Sequence, residues 1–254
     1  MNMKSCKWER RRFKLTNYSV KRKGVSVIIS TNRPQYFDKI IRNYKRQLYK
    51  NKELIIILNN DRMKLSYYRK MVRLYSDIRV YQVPQKFTLG RCLNIAVSQT
   101  KYRFIAKFDD DDYYSPYYLR EQMRAAVRRS GAAIVGKAAH FKYFEGKRLL
   151  AITTPTERHK FVKFVAGGSL LFKRKIYNAV RFKNITHGED SDFLQRCRAK
   201  GYKIYATSPY NFVGIRRKNK KSHTWTASDE SVLRGSKIIG RTNRFRQIAV
   251  RPLK

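Results

Sequence analysis

Acidic residues are scarce in this 254-residue chain: 17 Asp and Glu stand against 59 Lys and Arg, a formal charge of +42. Such an imbalance says little about fold and much about partners. It points to anionic ones: nucleic acid, phosphorylated substrates, an acidic membrane face or an acidic polymer. Cysteine is scarce too. Cys6, Cys92 and Cys197 are widely spaced and odd in number, which argues against a disulfide framework or a zinc site and for a reducing interior. No apolar run nears the ~20 residues of a membrane-spanning helix. The longest, LIIIL at 54–58, has the length of a buried strand. The opening stretch MNMKSCKWERRRFKL is basic and lacks the apolar segment of a secretory leader. Apolar material is not lacking: 42% hydrophobic and 13% aromatic residues exclude a wholly disordered chain.

The few acids are unevenly placed. Asp109, Asp110, Asp111 and Asp112 are consecutive, and Glu189, Asp190 and Asp192 form a second cluster. Adjacent carboxylates repel and raise one another's pKa unless a cation is present. A bound divalent metal reverses that penalty; a solvated acidic turn ahead of a helix is the plainer alternative. The second cluster likewise reads as an acidic first helical turn favoured by the macrodipole, or as chemistry.

Residues 1–23 form a basic arm. Apolar runs of strand length follow at 25–30, 53–58, 78–83 and 102–108, with helical spacing between them. Strands alternating with helices predict parallel βαβ units. In open parallel sheets ligands sit beyond the C-terminal strand ends, which places Thr31, Arg33, Asn59 to Asp61 and the aspartate run on one rim. Residues 132–144 and 148–153 read as a hairpin around 145–147. A short strand at 161–165 precedes Gly167-Gly168. A helix at 189–199 ends at Gly201, and 202–206 and 210–215 read as strands. Residues 216–254 make a basic tail and a candidate lid.

These segments resemble inverting glycosyltransferases of family 2. The resemblance rests on VSVIISTNRP at 25–34, KELIIILNND at 52–61 and FTLGRCLNIAVSQTKYRFIAKFDDDDYYSPYYL at 87–119. GGSLLFKR at 167–174 and GEDSDFLQRCRAKGYKIY at 188–205 complete it. KFDDDDYYSPYYL and the late HTW are most similar to bacterial members linked to spore-coat maturation. The resemblance implies an α/β chain of GT-A fold, a Rossmann-like mixed sheet flanked by helices, spanning 24–215 as one domain between the two basic extensions.

It also implies roles. Asp111 binds Mn²⁺ or Mg²⁺, and Asp109 faces the ribose or the metal's water shell. Asp110 or Asp112 holds donor hydroxyls. Both 109/111 and 110/112 match a DxD pattern; Phe108 favours the first. Asp190 is implied as the base that takes the acceptor proton, with Glu189 as its understudy. Thr31 and Arg33 fall where the family cradles base and ribose. Asn59 and Asn60 stand where many relatives carry an aspartate that reads uracil, a departure. Arg91 meets a phosphate or faces solvent. Gly168 allows close backbone approach to the donor. His223 is a candidate metal ligand from the tail, against the plainer reading of a surface histidine.

The expected function is metal-dependent, inverting transfer of a sugar from a nucleoside-diphosphate donor, UDP favoured, to a hydroxyl of a glycan, polymer or surface acceptor. The expected setting is the bacterial cytoplasm, peripheral to a membrane or associated with the spore coat, with the basic arms touching an anionic polymer or membrane. The alternative is a nucleic-acid-binding protein or metal-dependent nuclease, motivated by the charge. A catalytically idle module serving as a basic adhesive layer is a third reading.

Overall fold

The computed structural model describes residues 21–219 and 227–253. Its first half alternates strand and helix: β1 (Lys21–Thr31), α1 (Phe37–Lys45), β2 (Lys52–Leu58), α2 (Leu65–Val72), β3 (Ile78–Gln82), α3 (Leu89–Ser98) and β4 (Tyr102–Lys107). The four strands are parallel, in the order β3-β2-β1-β4. Their apolar runs are continuous because both sheet faces are covered. Leu54, Ile56 and Leu58 of β2 share one core with Ile40 and Tyr44 of α1, whereas Ile55 and Ile57 share the other with Leu93 and Val97 of α3. Three layers result, with α1 and α2 on one side of the sheet and α3 on the other.

β5 (Tyr113–Tyr114) and α4 (Tyr118–Arg128) follow the aspartate run. β6 (Ala132–Gly136), β9 (Lys160–Val162), β10 (Leu171–Lys173) and β11 (Lys203–Ala206) extend the large sheet to β3-β2-β1-β4-β10-β6-β11-β9. β10 runs antiparallel to both of its neighbours, so the sheet is mixed. α5 (Arg174–Ala179) and α6 (Glu189–Ala199) lie on the α3 side, where Ile176, Phe193 and Leu194 enter the core. α6 ends before Gly201, whose φ of 78° suits the left-handed position past a helix end.

A second sheet, β13-β8-β7-β12-β5, stands beside the first. It contains β7 (His140–Phe144), β8 (Leu149–Thr153), β12 (Phe212–Arg216) and β13 (Lys237–Arg241). The hairpin around 145–147 is β7–β8. Residues 132–144 are not one hairpin arm, however. β6 belongs to the large sheet and β7 to the small one. The chain crosses at Lys137, a fully buried ammonium held by Glu121 Oε1 and the Ser208 carbonyl, both at 2.8 Å.

The tail is part of the fold: α7 (Asp229–Leu233), β13 and α8 (Phe245–Ala249) occupy it, and β13 pairs antiparallel with β8. Among the described residues no helix is long and apolar enough to cross a membrane. Cys92 and Cys197 are buried and unpaired, and burial pushes their thiols up to about 11 and 12.

Candidate functional site

β4 delivers the aspartate run to the rim where β1 also ends, and the four carboxylates take four different environments. Asp110 turns toward β1. Its Oδ2 accepts from Thr31 Oγ1 at 2.5 Å and from Arg33 Nε at 3.1 Å, and a second Arg33 nitrogen holds its Oδ1. Asp111 Oδ2 pairs with Arg33 at 3.2 Å and with Arg217 at 3.1 Å. Tyr36 braces both guanidiniums: Arg33 lies 4.8 Å and Arg217 5.4 Å from its ring centroid, and Arg217 donates to its hydroxyl. Lys39 donates to the Asp111 carbonyl and Asn43 to that of Asp112. Asp112 Oδ1 accepts the Ile215 N–H of β12 at 2.9 Å, which ties the run to the second sheet. Burial, reinforced by Asp111 and Asp109, pushes the Asp112 carboxyl up to about 8.

Asp109 faces the other acidic cluster. Lys107, buried at the end of β4, reaches Asp109 Oδ1 at 2.8 Å and Glu189 Oε1 at 3.6 Å. Burial alone lowers an ammonium pKa, but Asp109, Glu189 and Asp190 outweigh it here and the net direction is upward. Glu189 is 4% exposed and committed to this pair; burial raises its pKa and Lys107 opposes the rise. Asp190 is different. Its Oδ1 accepts the Ser191 N–H at 2.7 Å, while its Oδ2 rests against Gly167. A Cβ on Gly167 would lie 1.6 Å from that oxygen. A Cβ on Gly168 would lie 2.6 Å from Asp109 Oδ2 and 3.1 Å from Asp112 Oδ2. The two glycines thus let one turn pass between the clusters, and Tyr114 fixes it: its hydroxyl donates to the Gly168 carbonyl and accepts the Asp109 N–H, both at 2.7 Å.

The structure therefore links Thr31, Arg33, Asp110 and Asp111 on the β1 side of the aspartate run, and Asp109, Gly168, Glu189 and Asp190 on its other side. Asn59 adjoins this group through its N–H, which the Thr31 carbonyl accepts at 2.8 Å. Asn59 donates to the Pro84 carbonyl and Asn60 to that of Asn32, so both amides brace the loops at the strand ends. The Arg91 guanidinium stacks 3.6 Å from the Phe87 ring centroid. Asp192 pairs with Arg196 one turn along α6. His223, like Trp225, lies outside the described residues. Lys107, Lys39, Tyr36, Asn43, Tyr114 and Arg217 were not singled out from sequence. A lone lysine inside an apolar strand was a usable signal for Lys107. Arg217 had none, because it sits in a basic run.

Among the described residues no three His, Cys, Asp or Glu side chains are gathered as a metal cage. Mg²⁺-type ions do not need one. They take one or two carboxylates and complete their shell with phosphate and water oxygens. The oxygens of Asp109 and Asp112 that converge on Gly168 are hard donors of that kind, so the run fits such a cation. Asp111, which the resemblance makes the ligand, has its Oδ2 in ion pairs with two arginines.

The mixed sheet flanked by helices, with an aspartate run at the end of β4 and a second acidic cluster opening α6, has the GT-A architecture of the solved structures that the chain resembles. The chain belongs to glycosyl transferase family 2, whose family model matches residues 26–200. Among solved structures it is similar to TarS 1–349 of S. aureus, with 15% identity, a TM-score of 0.61, and coverage of 76% of this chain and 60% of that one. It is also similar to the mannosyltransferase PcManGT of Pyrobaculum calidifontis, in complex with GDP-Man and Mn²⁺, at 13% identity and TM-score 0.61, covering 86% and 64%. TarS 1–349 in complex with UDP-GlcNAc matches at 15% identity and TM-score 0.57, covering 83% and 64%. The chain spans less than two thirds of the length of each. No curated protein matches it.

Proposed function

We propose that the protein transfers a glycosyl group from a nucleoside-diphosphate sugar, UDP-linked by preference, to a hydroxyl of a glycan, polymer or surface acceptor, with inversion at the anomeric carbon. The observation that carries this reading is the Gly167-Gly168 turn, which has Asp190 on one side and Asp109 with Asp112 on the other. The family supports a nucleotide-sugar donor, and the ligands named for the structural neighbours, UDP-GlcNAc and GDP-Man with Mn²⁺, support its class.

Asp190 is the better base of its pair. Among the described residues no hydrogen bond engages its Oδ2, whereas Glu189 is buried against Lys107. The acceptor oxygen attacks the anomeric carbon from the Asp190 side, its proton passes to that carboxylate, and the bond from the anomeric carbon to the diphosphate oxygen breaks on the opposite face. Asp109, with Asp111 or Asp112, would hold Mn²⁺ or Mg²⁺, which would supply charge neutralisation for the departing diphosphate. Arg33, Arg217 and Lys39 hold the run in shape and carry positive charge beside it. Thr31 orients Asp110 toward the rim where the nucleoside binds.

The test is nucleoside-diphosphate release from a panel of UDP-, GDP- and dTDP-sugars with and without Mn²⁺. Release that needs the metal and favours one nucleotide is expected. No release from any donor overturns the proposal.

A further inference from the structure

A cleft of about 990 Å³ lies beside the catalytic turn, at the upper end of ordinary ligand pockets, roughly 300–1,000 Å³. Two of its lining residues, Val165 and Ala166, lead directly into Gly167, against which Asp190 rests. Lys142 lines its other reach and stands next to Gly214 and Asp112. The cleft thus adjoins the turn at Ala166 and the Asp112 side of the site at Lys142, while the carboxylates themselves lie outside its lining.

The cleft is strongly basic. Lys142, Lys160, Lys163, Arg198, Lys203 and Arg234 line it against a single acid, Glu157, which already pairs with Lys160 at 2.7 Å. Among the described residues no carboxylate pairs with Lys163, Lys203 or Arg234. Two half-exposed rings lie among them: Phe161, with Lys203 at 5.9 Å, and Phe164, with Arg198 at 5.3 Å. Like charges lining a concavity repel one another and focus a field that concentrates anions. A neutral acceptor leaves that repulsion standing, whereas an anionic one relieves it and gains counterion release. Flat apolar rings among the cations suit the apolar faces of sugar or polyol units.

Resting on the proposed transfer reaction, we infer that the acceptor is an anionic, hydroxyl-bearing chain, with phosphate or carboxylate groups along its length, seated in this cleft so that one hydroxyl meets Asp190. Phosphodiester-linked polyols and polyuronates share that chemistry.

The test compares binding of four fluorescent oligomers to the full chain at two salt concentrations: polyglycerol phosphate, oligogalacturonate, neutral glucan and single-stranded RNA. Each is measured with the wild type, with Lys160→Glu/Lys163→Glu, and with Lys70→Glu/Arg73→Glu, an equal charge change at exposed residues in and just past α2, neither of which lines the cleft. At least one of the first two oligomers should bind more tightly than glucan and RNA, and which one it is identifies the anion. Its Kd should rise about tenfold in the cleft variant and no more than about twofold in the matched control. It should also accelerate nucleoside-diphosphate release by the wild type. Equal weakening in both variants makes the binding bulk electrostatics and overturns the inference, as does glucan binding equally well. Preference for RNA overturns it in favour of a nucleic-acid partner. Cleft-dependent binding that never accelerates release overturns the acceptor assignment. Donor turnover without any anionic preference removes this inference alone, whereas absence of turnover with every donor removes the transfer reaction itself.

Discussion

Lys107 is the structural hinge between the two acidic clusters, and replacing it by methionine separates charge from shape. Methionine keeps an unbranched stem and removes the ammonium. Of the two carboxylates left behind, the Asp109 side chain is 37% exposed and rehydrates, whereas the buried Glu189 side chain cannot. Removing one partner of a buried pair costs about 3–5 kcal/mol, because the surviving charge is left uncompensated. Domains of this kind are stable by roughly 5–15 kcal/mol, so Lys107→Met remains folded and its loss is measurable by urea denaturation followed by circular dichroism. Glu189→Gln in the same chain removes the stranded charge, and the double variant should recover at least half of the loss. A loss under about 1 kcal/mol for Lys107→Met, or a double variant no more stable than the single one, refutes the idea that Glu189 is ionised and held by this lysine.

Gly167→Ala places a methyl where Asp190 Oδ2 now lies, 1.6 Å away, so the carboxylate must swing aside. A misplacement of about 1 Å at a reacting group can cost about 10²-fold; kcat should fall by that order while donor Kd stays within about twofold. His140 is buried and held neutral: burial, then Lys142, pushes its pKa down to about 3. The unfolded chain, near 6.5, binds the proton first as pH falls, so this group's contribution is present above pH 6.5 and is lost toward pH 3. Between pH 7 and 4.5 the wild type should lose about 2–3 kcal/mol more than His140→Gln, read from paired urea curves. Equal losses contradict the burial argument.

The first four strands were legible because a parallel sheet covered on both faces forces unbroken apolar runs such as LIIIL at 54–58. The two acidic clusters were legible because acids are rare in this chain. Residues 132–144 misled because a buried Lys137, satisfied by Glu121 across the fold, marks a switch of sheets that no local pattern announces. β13 was hidden for the opposite reason: KIIGR is an edge strand that stays largely exposed and carries no burial period. Arg216 and Arg217 open the basic tail, where nothing distinguishes them from the cations that follow. One is buried against Asp229 and the other reaches Asp111, and both partners are distant in sequence. The register within the four aspartates was open in the sequence, since adjacent identical residues differ only in which way the backbone turns them.

Asp190 carries the central claim, and the direct measurement is kcat for nucleoside-diphosphate release in Asp190→Asn beside the wild type, with donor Kd measured on both. The amide keeps the shape of the carboxylate and cannot take a proton. Loss of a general base is worth typically 10²–10⁴-fold, so turnover should drop by about 10³-fold with donor affinity within about twofold. Turnover within tenfold of the wild type would contradict the account.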